Sequence, residues 1–291
     1  MDNLRGILLM VGAMAAFAIE DGFIKVATHG MPVGEVLLVL GLGGFAVFGA
    51  AARATGRKVF SPDILHRSVL LRNLGEIVGT LGFVTALATI PLSTATTILQ
   101  AMPLVVTFGA ALFLRETVGW RRWTAIAVGF AGVVLVIKPG FAGFDVHVLW
   151  ALLCVAGLSV RDLATRRIPR TISTTQLSAW AYGAITLLGL ALLATVQTAT
   201  PLDTRSALLL AAAIATGVVG YWALTESMRL GELSAIAPFR YARLVFGMSI
   251  GMFAFSERPD RLSLAGAALI LLAGLYALFR ERHRASRKSR A

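Results

Sequence analysis

Ten stretches of this chain are each apolar for about the length that crosses a bilayer, and the segments between them are short. A helix covers the hydrocarbon with about 20 residues at roughly 1.5 Å each. The approximate limits 4–26, 33–52, 69–90, 93–114, 120–137, 147–165, 174–196, 207–227, 233–255 and 262–280 therefore predict ten transmembrane helices. Helix breakers fall between them, among them Pro32, Ser61-Pro62, Pro91, Pro139-Gly140, Pro169, Pro201 and Pro259. Composition agrees: 57% of the 291 residues are hydrophobic, 14% are charged and mean hydropathy is +0.79, far from the balance of a soluble domain. Ile7 to Phe17 behind Arg5 has the look of a signal segment, but the run continues to Val26, so it is read as the first span.

A net charge of +12 would suggest a nucleic-acid partner in a soluble protein. Its placement gives another cause. With the N-terminus in the cytoplasm, 19 Lys and Arg fall on the cytoplasmic side: Arg5; Arg53, Arg57, Lys58, Arg67 and Arg72; Arg115, Arg121 and Arg122; Arg166, Arg167 and Arg170; Arg229; and six from Arg280 to Arg290. Only Lys138, Arg205, Arg258 and Arg261 fall outside. Basic residues in short loops are retained inside, so this split supports the ten-span count, places both termini in the cytoplasm and removes the need for nucleic acid. The basic tail is read as an anchor near anionic headgroups of the lipid bilayer. A lone cysteine, Cys154, leaves no internal disulfide, and His29, His66, His147 and His283 are scattered without ligand spacing. No metal, cofactor or enzyme activity is expected: GxxxxGK[ST] is absent and no nucleophile with a base is apparent.

The chain also carries an internal echo. Residues 88–117 lie on 228–258 with a shift of 140 and one extra residue near the end, and each half has a short Pro or Gly turn, a span with a mid-helix proline (Pro103, Pro238) and a glutamate just past its end (Glu116, Glu257). The expected division is a first five-helix repeat over 1–140 and a second over 141–291. Because five is odd, the second repeat enters the membrane upside down, which puts a site at the repeat interface and permits alternating access. The fold class is thus an all-α membrane protein of ten helices in two inverted repeats around a central cavity.

With the turn into a Pro-containing span that ends near Glu, and with "AGAALILLAGLYALFRER" after "SERPDRLSL", the chain resembles the drug/metabolite transporter superfamily in its EamA branch. "RDLATRRIP" and "APFRYARLVF" resemble a bacterial subgroup of that branch, and the ten-helix pattern is shared by YddG-type amino-acid exporters. The resemblance implies a transporter in the bacterial inner membrane.

Charge inside the spans singles out candidate residues. An arginine at a helix centre costs roughly 2.5–3.5 kcal/mol on insertion scales, and Arg240 and Arg243, three apart, share a helix face beside Tyr241. They are read as binding an anionic group such as a carboxylate, which suits the guanidinium fork; the alternative is pairing with Glu76, Asp162 or Glu226. Gln100 aligns with Arg240 and joins the set. Glu20 and Glu76 are candidates for the pathway, Asp21 and Lys25 for an intrahelical pair. Trp180, Tyr182, Tyr221 and Trp222 lie too deep for an interfacial belt and are read as a wall for substrate side chains. Arg161, Asp162 and Glu226 are assigned to a gate or coupling network, with Arg229 beside it. Since neighbours point about 100° apart on a helix, Arg161 and Asp162 are not expected to pair with each other.

The expected function is export of a small metabolite, most simply an amino acid, with protons as a candidate coupling ion carried by Glu20, Glu76, Asp162 or Glu226. The alternatives are a larger anionic or adenosyl-type metabolite, and drug efflux, against which the buried arginines argue.

Overall fold

Lipid offers the backbone no hydrogen-bond partners, so each span must satisfy its own N–H and C=O groups as a helix. The computed structural model describes residues 2–114, 119–139, 144–169, 171–230 and 236–288, and among these no strand occurs. The helices are α1 (Asp2–Thr28), α2 (Val33–Ala54), α3 (Arg67–Thr89), α4 (Leu92–Leu99), α5 (Met102–Phe113), α6 (Trp120–Ile137), α7 (Val148–Thr165), α8 (Thr174–Thr195), α9 (Thr204–Leu230), α10 (Ala242–Ala254) and α11 (Arg261–Lys288). Short 3-10 turns occupy Pro62–Leu65 and Ala237–Tyr241. Glu116 lies outside the described residues, as do the side chains of Arg229 and of the basic tail.

Among the described residues, nine helical stretches are long and apolar enough to cross a membrane, with α4 and α5 together forming one of them, Leu92–Phe113. The expected ninth span, 233–255, departs from a single helix. Its described part is the 3-10 turn at Ala237–Tyr241 followed by the 13 residues of α10. Pro238, the second residue of that turn, brings no N–H. In the fourth span the same chemistry acts through Pro103, which cannot donate to the carbonyl of Leu99, the residue at which α4 stops.

The chain divides into two compact units, each drawing helices from both halves of the sequence. The first comprises Met1–Ile19, Ile90–Val148 and Val219–Ala291, and the second Glu20–Thr89 and Leu149–Val218. Within the first, α6 packs along α11 and α4 along α10; within the second, α2 packs along α8. All three pairings join spans five apart in the chain. Glycines let these backbones close. A Cβ at Gly41 would lie 2.7 Å from the Thr186 amide nitrogen, and one at Gly132 would lie 2.8 Å from the Gly266 carbonyl. Another glycine seam runs between α3 and α7, where Gly75, Gly79 and Gly82 face Gly157 and the backbone around Cys154 and Arg161.

The second unit has a core of Val69, Ile172, Leu177 and Trp180. A Ser173 capping box with Gln176 starts α8, and the same Gln176 donates through Nε2 to the Lys58 carbonyl at 2.8 Å. In the first unit, Met10, Ala13 and Met14 of α1 pack with Ala223 of α9 and Ile236. Large apolar side chains such as Leu8, Leu42, Leu187, Phe253 and Leu272 face outward, as a lipid-facing surface requires.

Two substitutions test this packing. A Cβ at Gly157 would fall 2.5 Å from the Gly79 nitrogen, so Gly157→Val should destabilise by about 1–3 kcal/mol, the usual cost of overpacking. At Gly12 an added Cβ meets nothing within 4 Å, and Gly12→Ala should gain about 0.5–1 kcal/mol. Thermal unfolding in detergent reads both.

Candidate functional site

In the first unit, the interruption of the fourth span meets the interruption of the ninth. Gln100 follows the last residue of α4 and is buried; its Nε2 donates to the Arg240 carbonyl at 3.3 Å. These residues stand 140 apart, the shift that aligns the two halves. Arg240 is the penultimate residue of the 3-10 turn and is exposed. One residue on, Tyr241 is buried with its ring against Gly274 of α11, where any Cβ would collide with the phenol oxygen. Among the described residues the Tyr241 hydroxyl has no hydrogen-bond partner, a condition that costs about 1–3 kcal/mol when buried.

Arg243, on the first turn of α10, places its guanidinium 5.3 Å from the centre of the Phe17 ring, a cation–π contact. Phe17 in turn lies against Gly220 of α9. Along α9, Tyr221 and Glu226 are half-buried and Trp222 is exposed. Ser227 Oγ donates to the Gly6 carbonyl at 2.6 Å and ties this end of α9 to α1. The hydroxyls of α4 turn inward on their own helix: Thr96 Oγ1 donates to the Leu92 carbonyl at 2.8 Å, and Thr97 Oγ1 to that of Ser93 at 2.6 Å.

The second unit gathers another set. Glu76 on α3 lies between two arginines: Arg161 Nη1 is 3.3 Å from Oε1 and Arg72 Nη2 is 3.5 Å from Oε2. Arg72 Nη1 also donates to the Leu177 carbonyl at 3.1 Å, so the cluster joins α3, α7 and α8. Contrary to the expectation from helix geometry, Arg161 and Asp162 do pair. Arg161 Nε and Nη2 lie 2.9 and 2.8 Å from Asp162 Oδ1. Their Cβ atoms diverge, but the long arginine side chain curls back along the helix, and in a partly buried site a charge-assisted bond outweighs the lost rotamer freedom.

Glu20 sets its carboxylate against Gly217 of α9, where an added Cβ would stand 2.5 Å from Oε1. Asp21 and Lys25 are both buried, and Lys25 Nζ donates to the Leu87 carbonyl at 3.0 Å, binding α1 to α3. Tyr182 stacks on Phe48 with ring centres 5.5 Å apart, over Gly44. Trp180 is 3% exposed and donates through Nε1 to the Val59 carbonyl at 2.5 Å.

Two residues escape a reading of the sequence by polarity within spans. Phe17 looks like any core aromatic until Arg243 is seen over it. Glu257 is visible as a glutamate beyond a span, but only the structure gives it partners, the backbone N–H groups of Leu92 and Ser93.

The EamA-like transporter family model matches residues 4–138 and again 146–279. Among curated proteins the chain is 30% identical over 220 residues to an S-adenosylmethionine uptake transporter of Rickettsia felis, covering 75% of this chain and 74% of that one. It is 28% identical over 215 residues to a riboflavin transporter of Rhizobium johnstonii, covering 74% and 71%. It is 24% identical over 269 residues to the pseudopaline exporter CntI of Pseudomonas aeruginosa, covering 92% and 94%. A solved crystal structure 20% identical in sequence superposes with a TM-score of 0.64, covering 96% of this chain and 98% of its own, and shares the fold. With two family matches that together span nearly its whole length, one for each run of five predicted helices, this multi-pass membrane chain belongs to the EamA-like transporter family.

Proposed function

We propose that this transporter moves a carboxylate-bearing metabolite, an amino acid or an amino acid with a larger appendage, by alternating access between inverted repeats over 1–140 and 141–291. The observation that carries this reading is the exposed Arg240 guanidinium on a turn that Gln100 holds by its backbone carbonyl. A planar fork on a fixed turn suits a carboxylate. The R. felis relative is named for S-adenosylmethionine, whose methionine end carries an α-amino carboxylate, so the adenosyl-type substrate is supported as well as a free amino acid. Drug efflux of simple cations is disfavoured by the same arginines. Arg243 and Tyr241 complete the binding face in this reading, and Tyr221 and Trp222 supply apolar surface. We place the chain in a bacterial inner membrane with both termini in the cytoplasm.

Coupling to protons, in this reading, falls to Glu20 and Glu226. Glu76 and Asp162 share Arg161, which in this reading commits both carboxylates to the charge cluster. The Arg72–Glu76–Arg161–Asp162 cluster is assigned to a gate.

The test is flux through proteoliposomes offered amino acids, S-adenosylmethionine and riboflavin, the last of which lacks a carboxylate. Arg240→Ala should cut carboxylate transport roughly tenfold or more, the scale of a lost charge-assisted contact, and Arg240→Lys should restore part of it. Carriage of riboflavin alone, unaffected by either variant, would overturn the proposal. For the gate, Glu76→Gln should lower stability by about 1–3 kcal/mol and change the transport rate at unaltered substrate affinity; a changed affinity would instead move Glu76 to the substrate.

A further inference from the structure

A second polar locus, separate from the Arg240 turn, lies within the first unit where α4 begins and α6 and α10 end. α10 stops at Ala254, and the chain reverses through Ser256 at φ 54°, in the left-handed region. The Glu257 N–H returns to the Gly251 carbonyl at 3.0 Å. Its carboxylate reaches across to α4, where Oε1 accepts from the Leu92 N–H at 2.6 Å and Oε2 from the Ser93 N–H at 2.9 Å. These are two of the donors that a helix start leaves without an intrahelical acceptor, and a carboxylate there also meets the positive end of the helix dipole. Gly251 makes the room, since a Cβ on it would occupy the place of the carboxylate.

Opposite stands Lys138, at the end of α6 and also left-handed, with φ 55°. It pairs with Asp260, which accepts the Ser263 N–H at 2.8 Å and so caps α11. Hydrogen bonds from Lys138 and Ser263 hold the Asp260 carboxyl down to about 2, so this carboxylate stays ionised at any pH a cell meets. Between the two contacts lies an open recess of about 360 Å³, with Thr94, Asp145, Val148 and Arg258 on its walls. Among the described residues, Lys138 and Ser256 are the two non-glycine residues with positive φ. Such a backbone costs energy and persists where its surroundings require it. Here both instances aim a charged contact over the same recess.

We propose that Glu257 is the catch of a latch: the turn between α10 and α11 is fastened to the start of α4 in this state and lets go when the transporter opens at this end. The proposal rests on the chain being a transporter but on no particular substrate. The fastening is made of polar contacts around empty volume rather than of interdigitated side chains, so parting it turns polar groups toward a recess that water can fill. A packed core would instead lose its contacts outright. Lys138 and Asp260 act as the hinge side, keeping the turn attached while the catch opens.

The test uses the full chain in nanodiscs, with Cys154→Ser as background and Ser93→Cys as reporter. Ser93 is 4% exposed and lies under the catch. A moving latch should let a maleimide label Ser93→Cys slowly but to completion, and Glu257→Gln should speed that labelling about tenfold, as expected for the loss of a charge-assisted pair. Ile98→Cys, deeper on the same helix and fully buried, should stay unlabelled with and without Glu257→Gln. A static cap gives a different pattern, with Ser93→Cys inert in the parent, or both reporters exposed together by Glu257→Gln as α4 frays. Either result overturns the proposal. If Glu257→Gln fails to fold, Glu257→Asp, whose shorter side chain loosens the catch and keeps its charge, should accelerate Ser93→Cys labelling severalfold; an unchanged rate counts against the latch. None of these readouts depends on the substrate, so they fail or succeed independently of the carboxylate assignment.

Discussion

Every interruption of a helix in lipid leaves backbone groups that must find partners, because the hydrocarbon supplies none. This constraint orders the first unit. Pro103 stops α4 and Pro238 unwinds the chain ahead of α10, and the two interruptions meet at the bond from Gln100 to the Arg240 carbonyl. The N-terminus that follows Pro91 raises the same demand and is answered by Glu257. Irregular backbone within a span is tolerable where a neighbouring segment answers it, and in this chain the answering segment lies five spans away.

Charge follows a similar rule with a different currency. The second unit places Arg72, Glu76, Arg161 and Asp162 within one another's reach, so that ions costly to bury alone share the penalty. Arg243 makes a cation–π contact with the face of Phe17. The names of the relatives, for S-adenosylmethionine, riboflavin and pseudopaline, show how widely cargo varies on this fold.

Much of the architecture was legible in residue order alone, for a physical reason: hydropathy over about 20 residues is a strong signal when the solvent is lipid. The correspondence of Gln100 with Arg240 was legible too, through the shift of 140 between the two halves, whereas the bond from Gln100 to the Arg240 carbonyl is a finding of the structure. What failed was geometry at the scale of one side chain. Directions of Cβ atoms separated Arg161 from Asp162, yet three methylenes let the guanidinium curl back to its neighbour. Trp180 read as part of a wall for substrate side chains, whereas its indole N–H is committed to the Val59 carbonyl. Glu257 stood in plain view beyond a span, but its partners are backbone N–H groups 165 and 164 residues away, which carry no mark in the sequence.

The seam of Gly75, Gly79 and Gly82 against Gly157 has a bearing on how such a chain can change over evolutionary time. Where backbone touches backbone, no side chain is present to be tuned, and nearly any replacement pushes against main-chain atoms that cannot rotate aside. A new cargo cannot be acquired by gradual adjustment there. Adaptation must be written elsewhere, on surfaces such as the half-buried faces of α9 and the turn before α10, where side chains have room to vary. A transporter built this way keeps one rigid joint and leaves its vocabulary of substrates free to drift.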